Sequence, residues 1–284
     1  MYKRQAQESA GKKDGSQIKI AMRILKDYAG EMVTLDQIDG DFCRGYITYL
    51  LTEYHPKGKD ISNYTLHNYY RALNGALNSA VRKKKMKANP FNELEKSEKI
   101  RKPESMRSYM TIEEVQALID TPMPHEEYEI VKCAYLFSCF CGLRISDIIK
   151  LKWNDVFVDR GQYRLAVSMK KTKEPIYLPL SPEALKWMPE RGGKSSEDNV
   201  FDLPSANTIR MQLKPWAKAA GISKRFSYHT SRHTFATMML TLGADLYTVS
   251  KLLGHADVKM TQVYAKIINK KKDEAVNLVN GLFH

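Results

Sequence analysis

A chain of 284 residues with 43% apolar content is long enough for two domains that each bury a core, and too apolar to be a disordered polymer. Its formal charge of +13 is spread along the chain, 20 Lys and Arg against 13 Asp and Glu in residues 1–105 and 25 against 19 beyond, as suits two halves that meet one polyanion. The longest apolar run, Cys133–Leu143, is eleven residues and too short for a membrane span, and the polar start is not a signal peptide. Cys43, Cys133, Cys139 and Cys141 lie in apolar helical contexts without CxxC spacing, which excludes a disulfide scaffold and fits buried thiols in a reducing cytoplasm.

The opening Met1-Tyr2-Lys3-Arg4-Gln5 resembles a translated sequencing adaptor, so residues 1–15 are expected to stand outside the fold, with the natural N-terminus further upstream. Ser16–Ala29 has helical spacing, with Ile18, Ala21, Ile24 and Tyr28 near one face. A second helix, Phe42–Glu53, carries the stripe Phe42, Tyr46, Tyr49 and Leu50. After the loop His55-Pro56-Lys57-Gly58, a long helix runs from Ser62 or Thr65 to about Lys85, with Tyr69, Leu73, Leu77 and Val81 expected inward. Its opposite face carries His67, Asn68, Arg71, Asn74 and Asn78 and ends in Arg82-Lys83-Lys84-Lys85. Such residues reach phosphates and base edges, so this face is a candidate nucleic-acid contact. Residues 16–104 therefore read as an all-helical bundle, closed by the charge-rich linker Glu95–Met106.

Thr111-Ile112-Glu113-Glu114 is a capping box that opens the second domain. Helices are expected at Thr111–Ile119, His125–Gly142 and Asp147–Trp153. Gln162–Met169 alternates like a half-buried strand, Lys170–Glu174 turns, and Pro175–Leu180 pairs back. Helices follow at Ser205–Ala220, kinked at Pro215, at Tyr228–Leu242, at Asp245–Leu253 and from about Val258. Trp153 and Trp216 read as core anchors. On Tyr228–Leu242, Phe235, Met238, Met239 and Leu242 are expected to face the core, opposite His229 and Arg232. His229 and His233 lack a third ligand and do not suggest a metal site, and His233 reads as a packing and hydrogen-bonding residue.

Six side chains suit the breaking of a phosphodiester without a metal, which needs a nucleophile, cationic donors to the nonbridging oxygens and an acid for the leaving oxygen. Arg144 and Arg232 offer bidentate forks, which lysine does not match. His229 lies three residues before Arg232, Lys171 sits at a hairpin tip, and Tyr264 follows His255 by nine residues. Gly142-Leu143-Arg144-Ile145-Ser146-Asp147, Lys171-Thr172, His229-x-x-Arg232, Leu252-Leu253-Gly254-His255 and Tyr264, in this order, resemble the tyrosine recombinase (phage integrase) family over nearly the whole chain.

The resemblance implies a mainly α fold of the DNA breaking-rejoining type. Residues 16–104 would be the helical core-binding (SAM-like) domain, and 105–284 the catalytic domain with a small antiparallel β-sheet and a C-terminal exchange helix. It implies a site-specific recombinase or integrase of a mobile element working through a 3′-phosphotyrosyl intermediate; a dimer-resolving recombinase or a nicking-closing, type IB topoisomerase-like enzyme is the alternative. Carried over, Arg144 and Arg232 clamp the scissile phosphate, and His255 hydrogen-bonds it. His229 handles the proton of the nucleophile Tyr264, Lys171 is the general acid, and Asp147 orients an arginine. Lys170 and Lys173 flank Lys171 and compete for its role. Arg210, Lys214 and Ser231 join the long helix as candidate DNA contacts. No metal, cofactor or ATP is required, because the phosphotyrosyl ester conserves the energy of the bond it replaces. The implied partners are a double-stranded attachment or recombination site, three further copies in a tetramer and accessory DNA-bending or excision factors, at the nucleoid in the cytoplasm. Larger integrases carry an arm-binding domain ahead of the core-binding region, and the chain starts where that domain would end, so an N-terminal truncation is expected.

Overall fold

The computed structural model describes residues 15–103, 107–168 and 175–264. The expected hairpin tip with Lys170, Lys171 and Lys173, the C-terminal helix after Tyr264 and the first 14 residues lie outside them. The chain divides into two compact units, Met1–Ser105 and Met106–His284.

In the first unit, α1 (Gly15–Ala29), α2 (Gly40–Thr52) and α3 (Asn63–Arg82) pack around Ile24, Leu25, Cys43, Tyr46, Ile47, Leu50, Leu66, Tyr70, Leu73 and Leu77. Asp39 caps α2 by accepting from the Phe42 N–H at 2.8 Å, and Ser62 caps α3. Tyr28 packs its ring against Phe42, Tyr46 and Tyr49 at centroid distances of 5.2, 5.7 and 5.3 Å. The buried stripe of α3 is Leu66, Tyr70, Leu73 and Leu77, with Tyr69 and Val81 at its margins. Strict four-residue spacing drifts by about 40° per step on a helix of 3.6 residues per turn, so 69, 73, 77 and 81 do not share one face. The same rotation carries His67 into the interior, where it is 9% exposed and packs beside Tyr70. Asn89 is buried at the turn after α3. Its Nδ2 donates to the Oδ1 atoms of Asn74 and Asn78, each at 2.7 Å, and its Oδ1 accepts from the Phe91 N–H.

The second unit opens with α4 (Ile112–Asp120), whose Thr111–Glu114 capping box is formed. Next comes α5 (Glu129–Cys141), buried on nearly every side by Val131, Ala134, Tyr135, Leu136, Phe137, Cys139 and Cys141. Helix α6 is the single turn Ile145–Ile148, and Trp153 enters a separate 3₁₀ turn, so the longer helix expected at Asp147–Trp153 is broken. Strands β1 (Val156–Asp159), β2 (Gln162–Ser168) and β3 (Pro175–Pro179) form an antiparallel sheet in that order. Leu165 faces Val156 and Leu178 across the ladders and is fully buried. Strand β1 extends the expected hairpin by one strand. Its signal was Arg160-Gly161, both at positive φ (50° and 79°), a two-residue turn that matches strand twist.

Helices α7 (Pro182–Leu185), α8 (Ala206–Ala219), α9 (Tyr228–Thr241) and α10 (Leu246–Leu252) complete the described part of the unit. Trp216 on α8 is fully buried and donates to the Thr121 carbonyl at 2.9 Å, and Trp153 is buried as well. Helix α9 lies against α5: the Tyr228 hydroxyl donates to the Ala134 carbonyl at 2.6 Å, and the Tyr135 and Thr230 hydroxyls are 2.8 Å apart. Phe235 and Met238 face the core as expected, whereas Leu242 is 66% exposed, because the helix stops at Thr241 and Gly243 turns the chain away. Gly142 ends α5 in the left-handed conformation (φ 74°), where a Cβ would meet the Phe235 ring at 2.6 Å.

Two substitutions test this packing by chemical denaturation. Asn89→Ala, which removes the buried amide's bonds to Asn74 and Asn78 and leaves the buried Phe91 N–H without its acceptor, is expected to destabilise the first unit by about 1–3 kcal/mol. Gly142→Ala combines an unfavourable φ with a clash against Phe235 and is expected to cost about 2–4 kcal/mol in the second. An unchanged midpoint for either would refute the corresponding account.

Candidate active site

Helix α9 carries three site residues, and the environment of Arg232 explains how. At 3% exposure its guanidinium needs acceptors, and finds them at the C-terminal ends of two other helices. Nη1 donates to the Gly142 carbonyl at 2.7 Å, closing α5, and Nη2 to the Leu253 carbonyl at 2.5 Å, closing α10. Helix C-termini present unfilled carbonyls and partial negative charge, which suits a buried cation. Burial, followed by the neighbouring Arg144, pushes its pKa down to about 9, so it remains charged at neutral pH.

Arg144 is presented from the turn after Gly142, as expected. Its Nη1 stands 3.9 Å from the Asp147 carboxylate on α6, which fits an orienting role for Asp147. Asp147 is buried and also accepts from the Ser146 hydroxyl at 3.2 Å. His255, after Gly254, is fixed by a 2.7 Å hydrogen bond between Nδ1 and the hydroxyl of the fully buried Thr261. Burial and then Arg232, Arg144 and Arg107 bring its pKa down to about 4, so the ring is neutral. His229 lies exposed at the rim, its pKa lowered by desolvation and then by Arg232, Arg107 and Arg144.

Tyr264 is docked inside this cluster, 2% exposed, against Phe235, Ala236, Leu240, Val249 and Leu253. Burial raises the pKa of its phenol while Arg107, Arg232 and Arg144 oppose the rise, so it is protonated at neutral pH. The imidazole that meets the hydroxyl is that of His233, through Nδ1. Burial, followed by His229 and Arg107, holds the His233 pKa near 3, so the neutral ring accepts and the phenol donates. His229, expected to take this proton, stands edge-on behind His233 with centroids 4.5 Å apart. Sequence reasoning left His233 as a packing and hydrogen-bonding residue and missed Arg107, whose guanidinium, on the segment before α4, favours the Tyr264 phenolate. Their signals were the His–x–x–Arg–His run and an arginine close ahead of the capping box.

The structure thus gathers Arg144, Asp147, His229, Arg232, His255 and Tyr264 around one point, and Lys171 lies outside the described residues. Of the candidate DNA contacts, Arg71, Arg82, Lys83, Lys84, Lys85, Arg210 and Lys214 are exposed and Asn68 partly so. His67 and Ser231 are buried, Ser231 donating to the Tyr228 carbonyl at 2.6 Å. Asn74 is committed to Asn89.

Residues 108–271 match the phage integrase family and residues 1–102 the phage integrase SAM-like domain. A tyrosine recombinase of Pseudothermotoga lettingae is 29% identical over 242 residues, covering 77% of this chain and 82% of that protein. Tyrosine recombinase XerD of Vibrio vulnificus is 32% identical over 184 residues, 60% of this chain and 59% of its own length. So the match spans about three fifths of the XerD relative. Among solved structures, XerH site-specific recombinase bound to palindromic difH substrate aligns over 92% of this chain and 78% of its own, with a TM-score of 0.72 and 18% identity. The Tn1549 transposon integrase in complex with circular intermediate DNA aligns over 96% and 98%, with a TM-score of 0.71 and 17% identity. At such identities these two establish the shared fold. The family match covers more than half of the chain: it belongs to the phage integrase family, the tyrosine-type site-specific recombinases.

Proposed function

We propose that this protein cuts and rejoins duplex DNA at a specific site through a covalent 3′-phosphotyrosyl intermediate. The observation that carries the proposal is the convergence of Arg144 and Arg232 beside the hydroxyl of Tyr264, with Asp147 as the neighbouring carboxylate. Two guanidiniums held close together repel unless an anion lies between them, and a phosphodiester supplies one with forked geometry. The Tyr264 oxygen attacks phosphorus and loses its proton. The bond to the 5′ oxygen breaks, and that oxygen takes a proton from Lys171, its proposed acid. Arg144, Arg232, His255 and His229 bind the nonbridging oxygens as charge builds on them. Because Arg232 is already desolvated and fixed by two carbonyls, it needs no reorganisation in the transition state. The reverse attack by a 5′ hydroxyl restores the phosphodiester without ATP.

Residues 16–104 serve as the core-binding domain, and the catalytic unit follows. The exposed Arg71 and Arg82 on α3, Lys83–Lys85 in the turn that follows it, and Arg210 and Lys214 on α8 supply the phosphate contacts, in keeping with the +13 charge. Integration or excision of a mobile element is the favoured task, supported by the end-to-end likeness to a transposon integrase. Resolution of replicon dimers is the second reading, supported by the recombinases named XerD and XerC among the relatives. Assembly as a tetramer on DNA follows from either.

A pool of nicked duplexes with randomised cores, incubated with the protein in EDTA without nucleotide, is expected to yield SDS-resistant protein–DNA adducts. Sequencing the captured DNA separates the two tasks: ends of a mobile element for one, a single site per replicon for the other. Tyr264→Phe is expected to abolish the adduct and leave DNA binding within about twofold. An adduct that survives this change would show the nucleophile to be another residue.

The neutral buried histidines also set the acid limit. His233 and His255 have folded pKa values of about 3 and 4, below the ordinary value of 6.5. The unfolded chain therefore binds these protons first as pH falls. Their contribution is fully present above about pH 6.5 and is lost on acidification, by about 1.4 kcal/mol per pH unit for each histidine down to its folded pKa. Denaturant titrations between pH 7 and 4 are expected to show this slope, shallower in His255→Gln.

A further inference from the structure

Two groups act on the hydroxyl of Tyr264, and neither belongs to the set of clamp residues. Nδ1 of His233 hydrogen-bonds it, and the guanidinium of Arg107 favours its anion. Arg107 precedes the residues matched to the phage integrase family, which begin at position 108. Its placement is secured nonetheless. Three residues on, the Met110 N–H donates to the Thr234 hydroxyl on α9 at 2.9 Å, next to His233, and the Met110 side chain is buried in the core. The Tyr109 carbonyl accepts from Lys224 at 2.9 Å, and Lys224 is ion-paired with Glu114. The segment ahead of α4 is thereby laid across the helix that carries the site histidines. Arg107 acts electrostatically on His229, His233, His255 and Tyr264 alike, so its charge sits centrally in the site.

We propose that Arg107 and His233 together activate the nucleophile: Arg107 donates an N–H to the phenolic oxygen while His233 Nδ1 takes its proton. This rests on Tyr264 being the attacking group. As the O–H bond breaks, its electron pair stays on oxygen, stabilised by the guanidinium, and forms the bond to phosphorus. The proton leaves along the hydrogen bond already present to His233. The groups facing His233 are His229, Arg107, Arg232 and His255, all cationic or neutral, which disfavours an imidazolium while the site is empty. A bound phosphodiester brings negative charge to the same place and relieves that penalty. Proton transfer is thus coupled to DNA occupancy, and the phenol stays inert without it.

The test is the single-turnover rate of adduct formation on the duplex captured by the wild-type protein, measured against pH together with DNA affinity and melting temperature. Arg107 is exposed, so Arg107→Gln is expected to fold as the parent does and bind DNA within about threefold. Its cleavage is expected to fall about 10²–10³-fold, the loss typical of a donor to developing negative charge. The fall should be partly reversed at high pH, where hydroxide replaces the missing assistance, and Arg107→Lys should recover part of the rate at pH 7. His233→Gln keeps a hydrogen bond but cannot hold the proton, and is expected to lose about 10²–10⁴-fold. Arg107→Gln cleaving at the parental rate with the parental pH profile would overturn the proposal and leave the phosphotyrosyl reading intact. So would a rate loss equalled by the loss of DNA affinity, which would make Arg107 a binding contact alone. Absence of any adduct from the parent would instead overturn the phosphotyrosyl reading itself.

Discussion

The buried guanidinium of Arg232 is the constraint on which the second unit depends. A charge at 3% exposure is prohibitively costly without partners, and its partners are the carbonyls that close α5 and α10. Those carbonyls are the unfilled, electronegative ends of two helices, so one side chain satisfies both termini and ties α5, α9 and α10 together. Gly142 belongs to the same arrangement. Its left-handed turn exposes the carbonyl to Arg232, releases Arg144 two residues later, and leaves room for the Phe235 ring. Assembling the core and assembling the site are therefore one event.

Around that fixed point the electrostatics run one way. Arg107, Arg144 and Arg232 are cationic, His233 and His255 are held neutral by burial and by those cations, and Asp147 pairs with Arg144. A phenol in this setting is pulled in opposite directions, since burial favours its neutral form and the arginines its anion. The balance leaves Tyr264 protonated yet seated among groups that stabilise its conjugate base.

Much of this was legible in the sequence because it rests on local rules. The capping box at Thr111–Glu114, the glycine that ends α5 and the alternation of β2 each follow from a few adjacent residues. The arginines, histidines and tyrosine that converge on one point were singled out through the order and spacing of five short motifs. What misled was phase and context. Four-residue spacing on α3 placed Leu73 and Leu77 inward as found but put Tyr69 in place of Leu66 and Tyr70 and turned His67 outward, and the polar row of Asn74 and Asn78 proved to hold the Asn89 turn. Ser231, flanked by exposed-looking polar residues, is buried because α9 is surrounded by other helices.

The sequence by itself determined two basic units, their helices and caps, and a set of arginines, histidines and one tyrosine fit for phosphoryl transfer. Those features are set by residue type and by separations of a few positions, which chain geometry converts directly into local structure. Only the tertiary structure decided which imidazole meets the phenol, which carbonyls receive Arg232, and that the charge of Arg107 acts on Tyr264. Such contacts join residues 21 to 157 positions apart. They depend on how helices rotate and stack against one another, to a fraction of a turn, and no local pattern in the chain encodes that angle.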